Sequence, residues 1–290
     1  MIFIHKPQKI IAHMVVRNEE DIIQKTIEHN INQGVTHFII TDNNSTDKTK
    51  EILNKIPEVI EVFNEPNTLK NHSEIMTKMA RHAAKYKPDW ILNIDSDEFW
   101  EGFNFLKKES NEVLEVYRLY HHLTIKNETI FNKDNFPYYL DCGETRPNPR
   151  IIHKPSDTIT INHGNHGVSN FSGTVKSIDK LKIDHYCIRS FEQFIKKTDK
   201  CKKVIDYIGR DWEELHDIHF NHWKLWAGCD DKQKHFNQFI DVAKEIVDLN
   251  KNRNDHFFEY MLDKMINIYG VLPKEAERII KSKKLKILEH

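Results

Sequence analysis

Apolar and polar positions follow two rhythms along the first hundred or so residues. The run IIAHMVV (10–16) has strand length; the polar Arg17-Asn18-Glu19-Glu20 follows, then DIIQKTIEHNI (21–31), whose apolar residues recur at helical spacing. Gly34 stands where a helix C-cap is expected, and VTHFIIT (35–41) predicts a second strand that runs into Asp42-Asn43-Asn44-Ser45-Thr46-Asp47. Ser45 or Thr46 is placed to cap a helix over TDKTKEILNKI (46–56). EVIEVF (58–63) predicts a third strand, Ser73 to Lys85 a further helix, and WILNI (90–94) a fourth strand behind Pro88-Asp89. This alternation predicts an α/β fold, a mostly parallel sheet with helices on its faces. Ligands of such sheets bind at the carboxyl ends of the strands. The polar clusters at 17–20, 42–47 and 95–98 all fall at that edge.

Beyond Trp100 the segments shorten. VLEVYRL (113–119), TITI (158–161) and KLKIDHY (180–186) read as strands separated by loops such as GETRPNPR (143–150), and together they predict a mixed second half of the same sheet. From about Ser190 the period is helical, as in SFEQFIKKTDKCKKVIDYI, HFNQFIDVAKEIVDL and DHFFEYMLDKMINIY. With no internal repeat or low-complexity linker, the expectation is a core over 1–189, with halves 1–100 and 101–189, and a helical C-terminal subregion over 190–287. Leu288-Glu289-His290 resembles the start of a purification tag and is set aside as 288–290.

Composition changes this picture in two ways. The 43 basic and 44 acidic residues give a net charge of −1, so no global field draws the molecule to nucleic acid or an anionic membrane, and an anionic ligand must be held locally. Cys142, Cys187, Cys201 and Cys229 form no C-x-x-C pair, and neither a signal peptide nor a long apolar span appears, which points to a cytoplasmic chain. The basic stretch KEAERIIKSKKLK (274–286) suggests at most weak peripheral contact with the inner face of a membrane.

The stretch NIDSDEFW (93–100) sets Asp95, Asp97 and Glu98 directly behind an apolar run. Two carboxylates flanking one residue converge where a chain leaves a sheet, and they repel unless a hard cation offsets them. Mg²⁺ or Mn²⁺ held by one or two carboxylates takes its remaining ligands from phosphates and water. The plainer alternative is a solvated acidic loop in which Asp95 caps a turn.

MVVRNEEDI, FIITDNNSTDKTKEIL and DWILNIDSDEFW, in this order, resemble family 2 glycosyltransferases of the GT-A fold, a Rossmann-like mixed sheet flanked by helices, in the branch with a D-x-D-E-F-W signature. DHYCIRSFEQFIKK (184–197) is similar to the H-Y-x-x-R-S-x-x-x-F-x-x-K segment of family 92. The resemblance implies transfer of a sugar, usually with inversion, from a nucleotide-sugar to an acceptor, with 1–100 as the nucleotide-binding half and 101–189 as the acceptor half. It implies that Asn18 and Glu19, with Arg17 beside them, and Asp42 with Asn44 and Ser45 contact the nucleotide. It also implies that Asp95 lies nearer the ribose, that Asp97 is on the metal, and that Asp95 and a late histidine, His185, complete the metal set. TDNNS stands where many relatives have D-D-G-S: Thr41 leaves Asp42 as the single carboxylate, and the missing Gly makes the loop less permissive.

Other residues are weaker candidates. His216, His219 and His222 have the spacing of a zinc face but no Cys or carboxylate partner. His163 and His166 lie among glycines, and His166 is a candidate donor or acceptor contact. An inverting transfer needs a base, for which Glu144 is the first candidate and Asp141 the second, with Arg146 and Arg150 nearby to pair with it or with phosphate. The expected activity is metal-dependent inverting transfer from a UDP-sugar to a glycan or lipid-linked acceptor, with no nucleic-acid partner. The alternative is a non-catalytic nucleotide- or carbohydrate-binding module on the same fold. A D-x-D phosphatase would want its nucleophilic Asp after an early strand, and a nucleotidyltransferase a Gly-rich first loop; neither is present.

Overall fold

A computed structural model of the chain describes residues 8–67, 72–122, 131–133, 136, 138–141, 149–162, 165–208, 228, 230–238, 240–241, 263 and 286–289. The chain divides into two compact units, Met1–Arg118 with Asn148–His185, and Leu119–Pro147 with Tyr186–His290. In chain order the elements are β1 (Ile10–Val16), α1 (Ile23–Gln33), β2 (His37–Asp42), α2 (Thr49–Leu53), β3 (Val59–Asn64), α3 (His72–Ala84), β4 (Trp90–Asn93), β5 (Glu98–Glu101), β6 (Val113–His122), β7 (Tyr138–Asp141), β8 (Arg150–His153), β9 (Thr160–Ile161), β10 (Val168–Ser169), β11 (Val175–His185), α4 (Phe191–Ile208) and β12 (Lys286–Glu289).

In the first unit the sheet order is β6-β8-β4-β1-β2-β3. The strands β4, β1, β2 and β3 run parallel, while β8 pairs antiparallel with β4 and with β6. This is the expected α/β sheet, parallel where strands and helices alternate and antiparallel after Trp100. The alternation along β1 settles which face each helix covers. Ile10, Ala12, Met14 and Val16 pack with Ile23 and Ile27 of α1. Ile11 on the opposite face packs with Ile75, Met79 and Ala83 of α3. Each of the Ile, Val and Met side chains removed from water contributes roughly 1.5–3 kcal/mol. Gly34 ends α1 at φ 121°, a backbone conformation that a side chain rarely tolerates.

Two local expectations shift. The helix after β2 begins only at Thr49; its N-cap residue, Lys48, makes no side-chain cap, and Asp47 Oδ1 accepts the N–H of Thr49 at 2.9 Å. Ser45 is occupied elsewhere, accepting the backbone N–H of Asn18 at 3.0 Å, so the loop contact takes the hydroxyl that was expected at a helix end. The second shift is that Glu98-Phe99-Trp100-Glu101 of the D-x-D-E-F-W stretch is itself a strand, pairing antiparallel with β11 so that His185 lies opposite Glu98. Gly102 then turns the chain into a 3₁₀ helix, Phe103–Lys108, at φ 98°, and a Cβ there would meet the Lys180 carbonyl oxygen at 2.5 Å.

In the second unit the end of β6 pairs antiparallel with β7, and β7 with β12. Leu288 and Glu289, set aside as a tag remnant, thus lie in strand register with Tyr139 and Tyr138. The HYCIRS segment builds the start of α4. Ser190 Oγ accepts the N–H of Gln193 at 3.1 Å, and the Gln193 side chain accepts the N–H of Arg189 at 3.2 Å, close to a capping box. Arg189 donates to the Tyr186 carbonyl and Lys197 to the Cys187 carbonyl, at 3.2 and 2.6 Å. No helix among the described residues is long and apolar enough to cross a membrane.

Candidate functional site

The loops after β1 and β2 are stitched together by side chains that serve backbone groups. Asn18, at φ 56°, turns so that its own N–H reaches Ser45 and its Oδ1 accepts the N–H of Thr46 at 2.8 Å. The N–H of Glu19 reaches Thr49 Oγ1 at 2.8 Å, and Glu20 Oε2 accepts the N–H of Lys48 at 3.1 Å. Arg17 precedes this knot, partly exposed. Asn44 adopts φ 59°, so an asparagine supplies the left-handed residue for which the loop lacks a glycine. The exposed Asn44 and half-buried Ser45 line the loop, and Asp42 sits beneath it, buried. Its Oδ2 accepts the N–H of Ser45 at 3.3 Å, while Oδ1 has no hydrogen-bond partner among the described residues. A buried acceptor left open in this way is costly unless a donor from a ligand or water satisfies it.

The carboxylate loop after β4 is held from α1. Thr26 Oγ1 donates to the Ser96 carbonyl at 2.6 Å. The fully buried Asn30 donates to the Glu98 carbonyl at 3.2 Å and accepts the N–H of Trp100 at 3.1 Å. His29 Nε2 lies 3.1 Å from the Trp100 carbonyl. These polar residues interrupt the apolar face of the helix for a structural reason: they satisfy the backbone of the strand and loop packed against it.

The three acids receive different partners. Glu98 is 0% exposed and takes Arg150 Nε at 2.5 Å. Asp95 takes Arg150 Nη2 on Oδ2 and Asn165 Nδ2 on Oδ1, the latter at 3.1 Å. Asp97, 6% exposed, lies 3.3 Å from His185 Nε2. Arg150, from β8, is 2% exposed. His166 Nδ1 lies 3.4 Å from Arg150 Nη1 and 3.2 Å from the Pro149 carbonyl; it accepts from the first when bare and donates to the second when protonated.

The structure therefore brings Asp95, Asp97, His166 and His185 into one neighbourhood, with Asp97 and His185 adjacent and Asp95 engaged by a guanidinium. Among the described residues no group of three or more His, Cys, Asp and Glu is gathered as a metal cage. The donor set does fit Mn²⁺ or Mg²⁺, since one carboxylate and one imidazole leave room for phosphate and water ligands. Glu144, Arg146, His163, His216, His219 and His222 lie outside the described residues, and Asp141 ends β7 in the second unit. Sequence reasoning placed Arg150 beside Glu144 or a phosphate and passed over Asn165. The only signal for either was a polar residue in a loop, because their partners lie 55 and 70 positions away.

A second polar cluster lies inside the sheet. His13 on β1 is fully buried beside Asn93 and His153, and burial, reinforced by His153, lowers its pKa to about 3. Burial alone lowers that of His153 to about 4, although its Nδ1 lies 2.8 Å from the Lys154 carbonyl.

Residues 12–108 match glycosyl transferase family 2. No curated protein matches the chain. Among solved structures, S. aureus TarS is 14% identical, with 94% of this chain and 54% of that one covered at a TM-score of 0.39. HddC from Yersinia pseudotuberculosis is 13% identical, covering 64% and 96% at 0.39. Glucosyl-3-phosphoglycerate synthase from Mycobacterium tuberculosis is 20% identical, covering 39% and 44% at 0.29. The chain spans about half the length of TarS. The family match begins inside β1 and ends after the carboxylate loop, so both nucleotide-side loops and D-x-D-E-F-W together are what resembles glycosyl transferase family 2, on a mixed α/β sheet.

Proposed function

We propose that the protein transfers a sugar, with inversion, from a nucleotide-sugar, a UDP-sugar by default, to a glycan or lipid-linked acceptor, and that it uses Mn²⁺ or Mg²⁺. The observation that carries this reading is the pairing of Asp97 with His185 at 3.3 Å, at the carboxyl end of β4 in the family-matched segment. Asp97 and His185 would hold the cation. Bound there, it supplies positive charge against the departing diphosphate. Asp42, with its open Oδ1, accepts a donor from the base or ribose, and the stitched loops of Arg17, Asn18, Glu19, Asn44 and Ser45 hold that end of the nucleotide. Asp95 offers its remaining lone pairs to a ribose hydroxyl, and His166 contacts the sugar or the acceptor.

Transfer with inversion removes a proton from the acceptor hydroxyl as the anomeric carbon is attacked. Glu144 is assigned as that base and Asp141 as its substitute. The protein works in the cytoplasm, with at most a weak peripheral contact to a membrane through its basic stretch. A panel of nucleotide-sugars tested for metal-dependent binding and for donor hydrolysis checks the reading. Tight UDP binding with Mn²⁺ together with turnover of one donor is expected; binding without turnover of any donor points to a non-catalytic module instead.

A further inference from the structure

Asn165, on the loop that joins β9 to β10, is 0% exposed and adopts φ 61°, a left-handed conformation that asparagine tolerates and glycine adopts more easily still. Its backbone N–H donates to the Asn162 carbonyl at 3.2 Å. Its side chain crosses to the loop after β4, where Nδ2 donates to Asp95 Oδ1 at 3.1 Å. An ionised carboxylate only accepts, so this bond decides which end of the amide is which: the NH₂ faces Asp95, and Oδ1 is the end left over. That Oδ1 is covered and has no hydrogen-bond partner among the described residues. A glycine here would keep the turn and remove the cost of the unpaired carbonyl. An asparagine that is both left-handed and under-bonded is accounted for when its open acceptor meets a donor that arrives with a ligand. Asp95 itself is within reach of solvent, its side chain 33% exposed, and the amide lies one hydrogen bond behind it. Phosphate oxygens only accept and cannot fill the role. With the base assigned to the loops after β1 and β2, the donors a nucleotide-sugar has left are its hydroxyls.

We propose that Asn165 is a specificity-determining residue whose Oδ1, aimed by the bond to Asp95, accepts a hydrogen bond from a hydroxyl of the nucleotide-sugar, on the ribose or on the transferred sugar. Gly164 and Gly167 stand on either side of it in the sequence, so a small shift of the loop uncovers the oxygen. The proposal rests on the nucleotide-sugar reading above and is independent of which residues hold the cation. It gives the β9–β10 loop a part in ligand selection, because a buried acceptor built for a hydroxyl discriminates against an analogue that lacks it.

Asn165→Gly tests this, since glycine is at home at φ 61° and the substitution keeps the turn while removing the amide. Asn170→Gly is the control: Asn170 is also left-handed, at φ 55°, but it is exposed and its amide donates to Thr160 Oγ1 at 3.0 Å. The probes are UDP, UDP-glucose and UDP-N-acetylglucosamine, titrated calorimetrically with Mn²⁺ present, with a melting curve for each protein. Asn165→Gly is expected to weaken binding of at least one probe by about five- to tenfold, and Asn170→Gly to change none by more than about twofold. A loss shared by UDP and its conjugates assigns the hydroxyl to the ribose; a loss confined to the conjugates assigns it to the sugar. Analogues that lack one hydroxyl, 2′-deoxy-UDP and the deoxyglucose conjugates of UDP, close the cycle: one deletion costs the parent several-fold in affinity and costs Asn165→Gly less than about twofold. The proposal is overturned if Asn165→Gly binds every probe as the parent does, if Asn170→Gly shows the same loss, or if every deletion costs the two proteins equally; each of these leaves the nucleotide-sugar reading standing. A parent that binds none of the probes overturns that reading and the proposal with it.

Discussion

Loops 17–20 and 42–47 leave β1 and β2 side by side, and loop 95–98 leaves β4 on the other flank of β1. All three close the same edge of the sheet, but they are held by different forces. The first two are tied by uncharged side chains, the half-exposed Asn18 and Ser45 and the buried Thr49, that serve backbone N–H groups, each such bond worth about 0.5–1.5 kcal/mol net. The third is built on charge: the buried Glu98 and the partly exposed Asp95 against the buried Arg150, with Asn30 bonded to the Glu98 carbonyl. A loop that must adapt to a nucleotide can be held by many weak bonds that water replaces cheaply. A loop that must keep several carboxylates apart while one of them stays available for a cation has to be rigid before the ligand arrives.

The largest effect that separates the two regions is expected from Arg150→Ala, which strands a buried carboxylate and should cost about 3–5 kcal/mol in chemical denaturation. If the loss is under 1 kcal/mol, the buried-charge account of this loop is wrong. Asn30→Ala comes next, at about 2–3 kcal/mol, because the buried Trp100 N–H and Glu98 carbonyl both lose their partner. The same measurement on Thr26→Val should give a smaller loss, since only one bond, to Ser96, crosses to the loop.

The sheet beneath the carboxylate loop also carries an acid sensitivity. His13 and His153 have pKa values depressed in the folded state to about 3 and about 4, so the unfolded chain binds protons first. Their contribution is whole above the unfolded value near 6.5 and is lost as pH falls from there towards 4 and then 3. At about 1.4 kcal/mol per pH unit, His13→Leu should remove on the order of 2 kcal/mol of the difference in stability between pH 7 and pH 5. Denaturation curves at the two pH values check this; an unchanged difference would show that the imidazole is protonated or solvated. The smallest effect is expected at Ser45→Ala, about 1 kcal/mol or less, with a several-fold rise in donor KM and little change in kcat. A large loss of stability there would erase the distinction between the loops.

What the sequence revealed follows the same division. β1 was legible to the residue, and α1, β2, β3, α3 and β4 to within two or three positions, because their apolar periods are long and their faces simple. The short β8 and β10 carried too few positions for a period, and β5 was hidden because its residues read as part of a chemical motif. Ser45 looked like a helix cap because a cap is a local signal, whereas its actual partner, the Asn18 N–H, lies 27 residues away. The acids at 95, 97 and 98 were visible as chemistry. The cation that holds two of them was not, since an arginine in a polar loop says nothing about which buried carboxylates it will meet.

Mn²⁺ titration in the presence of UDP, comparing the parent with Asp97→Asn, tests the central claim most directly. The substitution keeps size and most hydrogen bonds while removing the charge that would hold the cation beside His185. The account predicts a loss of affinity of about a hundredfold or more, loss of sugar transfer, and a melting temperature at or slightly above that of the parent, because one like charge leaves the cluster. An Asp97→Asn protein that binds Mn²⁺ and UDP as tightly as the parent and still transfers sugar would contradict it.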